Sequence, residues 1–152
     1  MDIFARNPPR GQNESSYRFY VLLVAIGKTS KYKLIWSAFI EGKYQLIISE
    51  DVIHEYEEVL KAHSAPGAAE IVLEVFIESP DIIFKRVYYS WNVITSDPDD
   101  NKFFDVAVAA NADYLVTNDK HFNVLKKTPF PIVRVVNEKE FQAICQKAGI
   151  TV

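Results

Sequence analysis

The chain has 152 residues, 17 Lys and Arg against 20 Asp and Glu, a formal net charge of −3, and 49% hydrophobic and 13% aromatic residues. That length and apolar content support one domain with a real core and exclude a disordered chain. The mild acidity is not the footprint of a general nucleic-acid binder, although local lysine clusters can serve that purpose. A single cysteine, Cys145, excludes an internal disulfide and a cysteine-based zinc cluster; no apolar run is long enough to span a membrane, so a cytoplasmic protein is expected.

Residues 1–16, with Pro8, Pro9 and Gly11 among polar neighbours, read as an irregular N-terminal arm, and 17–152 as the domain. Phe19, Tyr20, Val21, Leu22, Leu23, Val24 and Ala25 form a continuous apolar run of the kind buried in a parallel sheet. Ser30 suits the cap of a helix carrying Leu34, Ile35, Ala38 and Phe39, which Gly42 closes. Residues 44–48 read as a second strand. Ser49 then caps an acidic helix that turns Val52, Ile53, Tyr56, Val59 and Leu60 inward. After a break at 63–67, residues 68–78 read as an amphipathic helix and Ile82, Ile83 and Phe84 as a short edge strand. Tyr88, Tyr89 and Trp91 fall in a connection with no clear element.

Asp97 is a suitable N-cap and Pro98 suits the first helical position, so a helix is expected through Phe104, Ala107 and Val108. Asp113 sits in the turn after it, and Tyr114, Leu115, Val116 and Thr117 form a strand with Asp119 just past its end. Residues 132–136 read as a last strand and Asn137 to Glu140 as a capping box opening the last helix. Strands alternating with helices predict an α/β domain with a mostly parallel sheet.

In such sheets the functional crevice lies at the carboxyl ends of the strands. Each acid near it has an ordinary explanation. Asp105 can be a charge at the edge of a helical stripe, Asp119 can be turn chemistry, Glu55 belongs to an acidic face with Glu57 and Glu58, and Asp100 is a first-turn acid. Together they bring several carboxylates to two strand–helix units of one sheet, which is what a divalent cation needs.

The stretch from Asp97, Pro98, Asp99, Asp100, Asn101, Lys102 and Phe103 to Asp105, followed by residues 112–120 with Val116, Thr117 and Asp119, resembles the C-terminal half of a PIN domain. The resemblance is nearest to the toxin components of bacterial toxin–antitoxin systems and extends over about residues 20–145, including Glu55 to Leu60 and the end from Ile132 to Phe141. It implies a three-layer α/β/α PIN-like fold and a Mg²⁺- or Mn²⁺-dependent ribonuclease. Glu55, Asp105 and Asp119 would be the catalytic metal-site acids, Asp100 a fourth ligand and Thr117 a support. It further implies an RNA substrate, touched by Lys28, Lys31 and Lys120, a cognate antitoxin and a homodimer. The chain departs from the pattern in one respect: Arg18 stands where the first-strand acid of the family would be, which implies impaired activity. The alternative is a non-catalytic PIN-like module that binds RNA or an antitoxin.

Overall fold

A computed structural model of the chain describes residues 19–24 and 33–149. The N-terminal arm, Arg18, Lys28, Lys31 and the Ser30 cap lie outside the described residues. Five strands form one sheet: β1 (Tyr20–Leu23), β2 (Gln45–Ile48), β3 (Ile82–Phe84), β4 (Tyr114–Val116) and β5 (Val135–Val136). Their spatial order is β3-β2-β1-β4-β5 and every pairing is parallel. The helices are α1 (Lys33–Ile40), α2 (Glu50–His63), α3 (Ala68–Glu78), α4 (Asn101–Ala109) and α5 (Glu138–Lys147). Parallel neighbours require crossovers, and right-handed crossovers that reverse direction at β1 put helices on both faces. The result is the three-layer α/β/α architecture, with its topological switch point between β1 and β4.

The central strands bury both faces, as their unbroken apolar runs require: Val21, Leu22, Leu46, Ile47, Leu115 and Val116 are fully buried. Beside them an aromatic layer of Trp36, Phe39, Tyr56 and Phe76 joins α1, α2 and α3, the rings of Tyr56 and Phe76 meeting at 5.8 Å between centroids. Burying each such side chain contributes about 1.5–3 kcal/mol. The Tyr56 hydroxyl donates to the backbone carbonyl of Leu23, fastening α2 to the carboxyl end of β1. At the other end of β1, the Tyr20 N–H donates to Asp113 Oδ2 at 2.8 Å. The turn acid thus anchors the start of β1 against β4.

Several local expectations hold in detail. Ser49 caps α2 by accepting from the Val52 N–H, and Gly42 takes a positive φ of 72° at the end of α1. The capping box of α5 is complete: Asn137 Oδ1 accepts from the Glu140 N–H at 2.8 Å, and Glu140 Oε2 from the Asn137 N–H at 2.9 Å. Others change. Asp97 makes no capping bond; α4 begins at Asn101, after a 3-10 turn over Pro98–Asp100. The last strand shrinks to two residues, with Ile132 80% exposed, because an edge strand needs only its inner ladder. Residues Lys120–Lys127 form a 3-10 helix that propensity did not suggest, held by Phe122 and Leu125 in the core. Of the apolar residues of α3, Phe76 is buried while Ile71 and Val75 face outward.

Candidate metal centre

The carboxyl end of β4 continues as Thr117, Asn118 and Asp119. Thr117 is buried, and its Oγ1 accepts the Asp119 N–H at 3.0 Å, a short turn that aims the Asp119 side chain back over the sheet edge. Asp119 Oδ1 also accepts the His121 N–H at 2.9 Å, capping the 3-10 helix. That helix swings the His121 ring against the turn before α4, where Nδ1 lies 3.3 Å from Asp100 Oδ2, 3.4 Å from Asp119 Oδ1 and 3.9 Å from Asp97 Oδ2. One ligand atom each from Asp97, Asp100 and His121 fit within 4.8 Å of one another. Asp97 thus faces the histidine and makes no helix-cap bond.

The 3-10 turn is fixed by Asn101, a buried polar residue whose hydrogen bonds are all internal. Its Oδ1 accepts the Ile94 N–H at 2.9 Å, and its Nδ2 donates to the carbonyls of Ile94 and Pro98 at 2.8 and 2.9 Å. These bonds lock the chain on both sides of Asp97 and Asp100 before any ligand arrives. The local electrostatics leave an unbalanced negative charge. Burial first, then the neighbouring charges of Asp97 and Asp119, raise the Asp100 pKa above its ordinary range, and His121 pulls only partly the other way. Carboxylate oxygens with one imidazole are a donor set that suits a divalent ion.

Glu55 and Asp105 belong to a second group. They line a cleft of roughly 500 Å³ with His54, Ser90, Asn92, Asp99 and Lys102. Lys102 Nζ sits 3.0 Å from Glu55 Oε2 and 3.0 Å from Asp99 Oδ2. Burial opposes the charge of Lys102, but Glu55 and Asp99 together outweigh it and raise the lysine pKa. Asp105 is only 6% exposed, and its Oδ1 accepts the Trp91 N–H at 3.0 Å. Burial raises the Asp105 pKa, with that hydrogen bond pulling it down. Asp99 and Asp100 are adjacent in the chain, so the 3-10 turn forms the boundary between the two groups.

Asp100 and Asp119 thus meet around His121, and Glu55 and Asp105 share the neighbouring cleft, where Lys102 is the counter-ion of Glu55. Lys120 is exposed beside Asp119. At the first strand, Leu23 pairs with Val116 and the Val24 N–H donates to the Val116 carbonyl at 3.1 Å, so Val24 follows β1 at the site as Thr117 follows β4. The place at the carboxyl end of β1 is filled by an aliphatic residue. His121 was not singled out in the sequence and Asp97 only as a helix cap and as the start of the PIN-like stretch; a histidine two residues after Asp119 was the available signal.

In comparisons with known proteins, residues 20–121 match the family described as PIN domain. No curated protein and no solved structure matches the chain.

Proposed function

The chain belongs to the PIN-domain family, a nuclease-type fold, and on that premise we propose that it is a Mg²⁺- or Mn²⁺-dependent ribonuclease, the toxin component of a cytoplasmic toxin–antitoxin pair, with its metal site weakened at the first strand. The observation that carries this reading is the meeting of Asp97, Asp100 and Asp119 around His121 at the end of β4. Asp97, Asp100, Asp119 and His121 would hold the cation, and Glu55 and Asp105 complete the acid set across the cleft. The chemistry a divalent cation supplies in such a site is activation of water and neutralisation of charge on the phosphate. Thr117 and Asn101 hold the ligand-bearing turns in place. Lys120, exposed at the rim, and Lys28 and Lys31 would meet the phosphate backbone electrostatically. Lys102, paired with Glu55 and Asp99, supplies the positive charge inside the cleft against which a phosphate would lie.

The partners in this reading are an RNA substrate, a cognate antitoxin and a second copy of the chain. A non-catalytic module that binds RNA or an antitoxin is the second reading; the resemblance puts Arg18 rather than an acid at the first strand, and one observation of the structure favours it: Glu55 is already paired with Lys102. Cleavage of an unstructured RNA pool with Mn²⁺ separates the two. The nuclease reading expects slow cleavage that EDTA stops and that Asp119→Asn lowers by at least about 10-fold, the lower range for altering a group that orients a metal site. Cleavage equal in wild type and Asp119→Asn contradicts it, and binding without cleavage favours the module.

A further inference from the structure

Between β3 and the acidic turn, residues 85–95 form no regular element, yet they are tied down at both ends. The Lys85 N–H donates to the Ile48 carbonyl at 2.8 Å, and Ile94 is clamped by Asn101. In the middle, the Trp91 N–H is held by Asp105. Asn92 takes a positive φ of 53°, so the segment turns here rather than running on as a strand. Ser90 and Asn92 line the acidic cleft, while Tyr89 and Trp91 turn their rings to one another with centroids 4.6 Å apart. Phe130, from the loop before β5, closes on Trp91 at 5.7 Å. The two outer rings are mostly in solvent, Tyr89 64% and Phe130 75% exposed. Trp91 packs partly against the core, while Tyr89 and Phe130 hold their rings against it from the solvent side and offer exposed aromatic faces.

We propose that Tyr89, Trp91 and Phe130 form a stacking platform for the unpaired bases of single-stranded RNA entering the acidic cleft. The proposal rests on the ribonuclease reading of that cleft and adds a substrate class to it. Continuity with the cleft favours RNA over a protein occupant, since one three-residue segment, Ser90 to Asn92, forms both the cleft wall and the central ring of the platform. Base stacking on aromatic rings tolerates any sequence, because every base has a π-face. The phosphates would follow the cleft side, toward Lys102, and the bases the ring side. A duplex, whose bases are already stacked, has nothing to offer the rings.

Binding is measured in EDTA, where no metal-dependent cleavage occurs, with labelled 12-nucleotide RNA probes: a mixed-sequence single strand, a blunt duplex and a single strand with abasic positions. Anisotropy is read together with tryptophan emission; the other tryptophan, Trp36, packs against Phe39 and Phe76. The expected result is preference for the intact single strand, with quenching of the emission. Phe130→Ala, which removes an exposed ring and leaves the core untouched, should weaken single-strand binding about 5-fold to 100-fold, Trp91→Ala at least as much, and Trp91→Tyr less. Equal binding of all three probes, or unchanged affinity in a folded Phe130→Ala protein, overturns the proposal. Unchanged RNA affinity accompanied by dissociation of a dimer in that variant also overturns it and assigns the rings to a protein interface. Platform-dependent binding without cleavage in Mn²⁺ overturns only the ribonuclease reading.

Discussion

Asp100 is the residue at which the charge balance of the site is most exposed. Its pKa is raised by burial and by Asp97 and Asp119, and that of Asp105 by burial. A carboxylate whose folded pKa lies above its unfolded value adds stability below the ordinary carboxylate range, about pH 4, and loses it as the pH rises through the folded value. The metal-free protein should therefore lose thermal stability between about pH 4 and neutrality on account of these groups. Asp100→Asn removes the charge and keeps the shape. In EDTA at pH 7 it should melt higher than wild type, with a flatter pH dependence, and with Mn²⁺ added the order should reverse; scanning calorimetry at several pH values reads both. Asp100, Asp119 and Thr117 were candidates in the sequence only through the resemblance of residues 97–105 and 112–120 to a PIN domain; the structure brings Asp100 and Asp119 to His121. His121 was not a candidate, because its role depends on two segments 21 residues apart meeting in space.

The elements carry the site through a few fastenings. Tyr56 on α2 donates to the Leu23 carbonyl, setting the helix that bears Glu55 against the end of β1. Tyr56→Phe leaves that buried carbonyl without its donor and should cost about 1–3 kcal/mol, read as a lower urea midpoint at unchanged slope. The strands, α2, α3 and α5 could be read ahead because apolar period, Ser49, Gly42 and the Asn137–Glu140 box are local signals. The 3-10 helix at Lys120–Lys127 could not: besides the Asp119 cap it is held by Phe122 and Leu125 reaching the core, a tertiary contact with no local signal. Likewise Asp97 looks like a helix cap in sequence, but the Asn101 hydrogen bonds fix a 3-10 turn after it and its carboxylate faces His121 instead.

At the scale of the whole molecule, the parallel order β3-β2-β1-β4-β5 gathers the acids at one end of the sheet, on the β4 side of the switch point and in the cleft beside it. No described helix is long and apolar enough to cross a membrane. The all-parallel sheet was legible from alternating strands and helices; the division of the acids into two groups was not, since sequence spacing says nothing about where Lys102 reaches. On the proposed metal-site reading, the carboxyl end of β1 is the weak place, since the Val24 side chain carries no oxygen. Affinity for hard cations follows the number of charged ligands, so Val24→Asp should tighten Mn²⁺ binding by roughly tenfold and raise cleavage with it. The most direct test of the metal centre is a Mn²⁺ titration followed by electron paramagnetic resonance at pH 7, comparing wild type with the triple variant Asp97→Asn, Asp100→Asn, Asp119→Asn. Weak but saturable binding in the wild type and none in the variant is the expected result; the same affinity in both would contradict a metal site built on these three carboxylates.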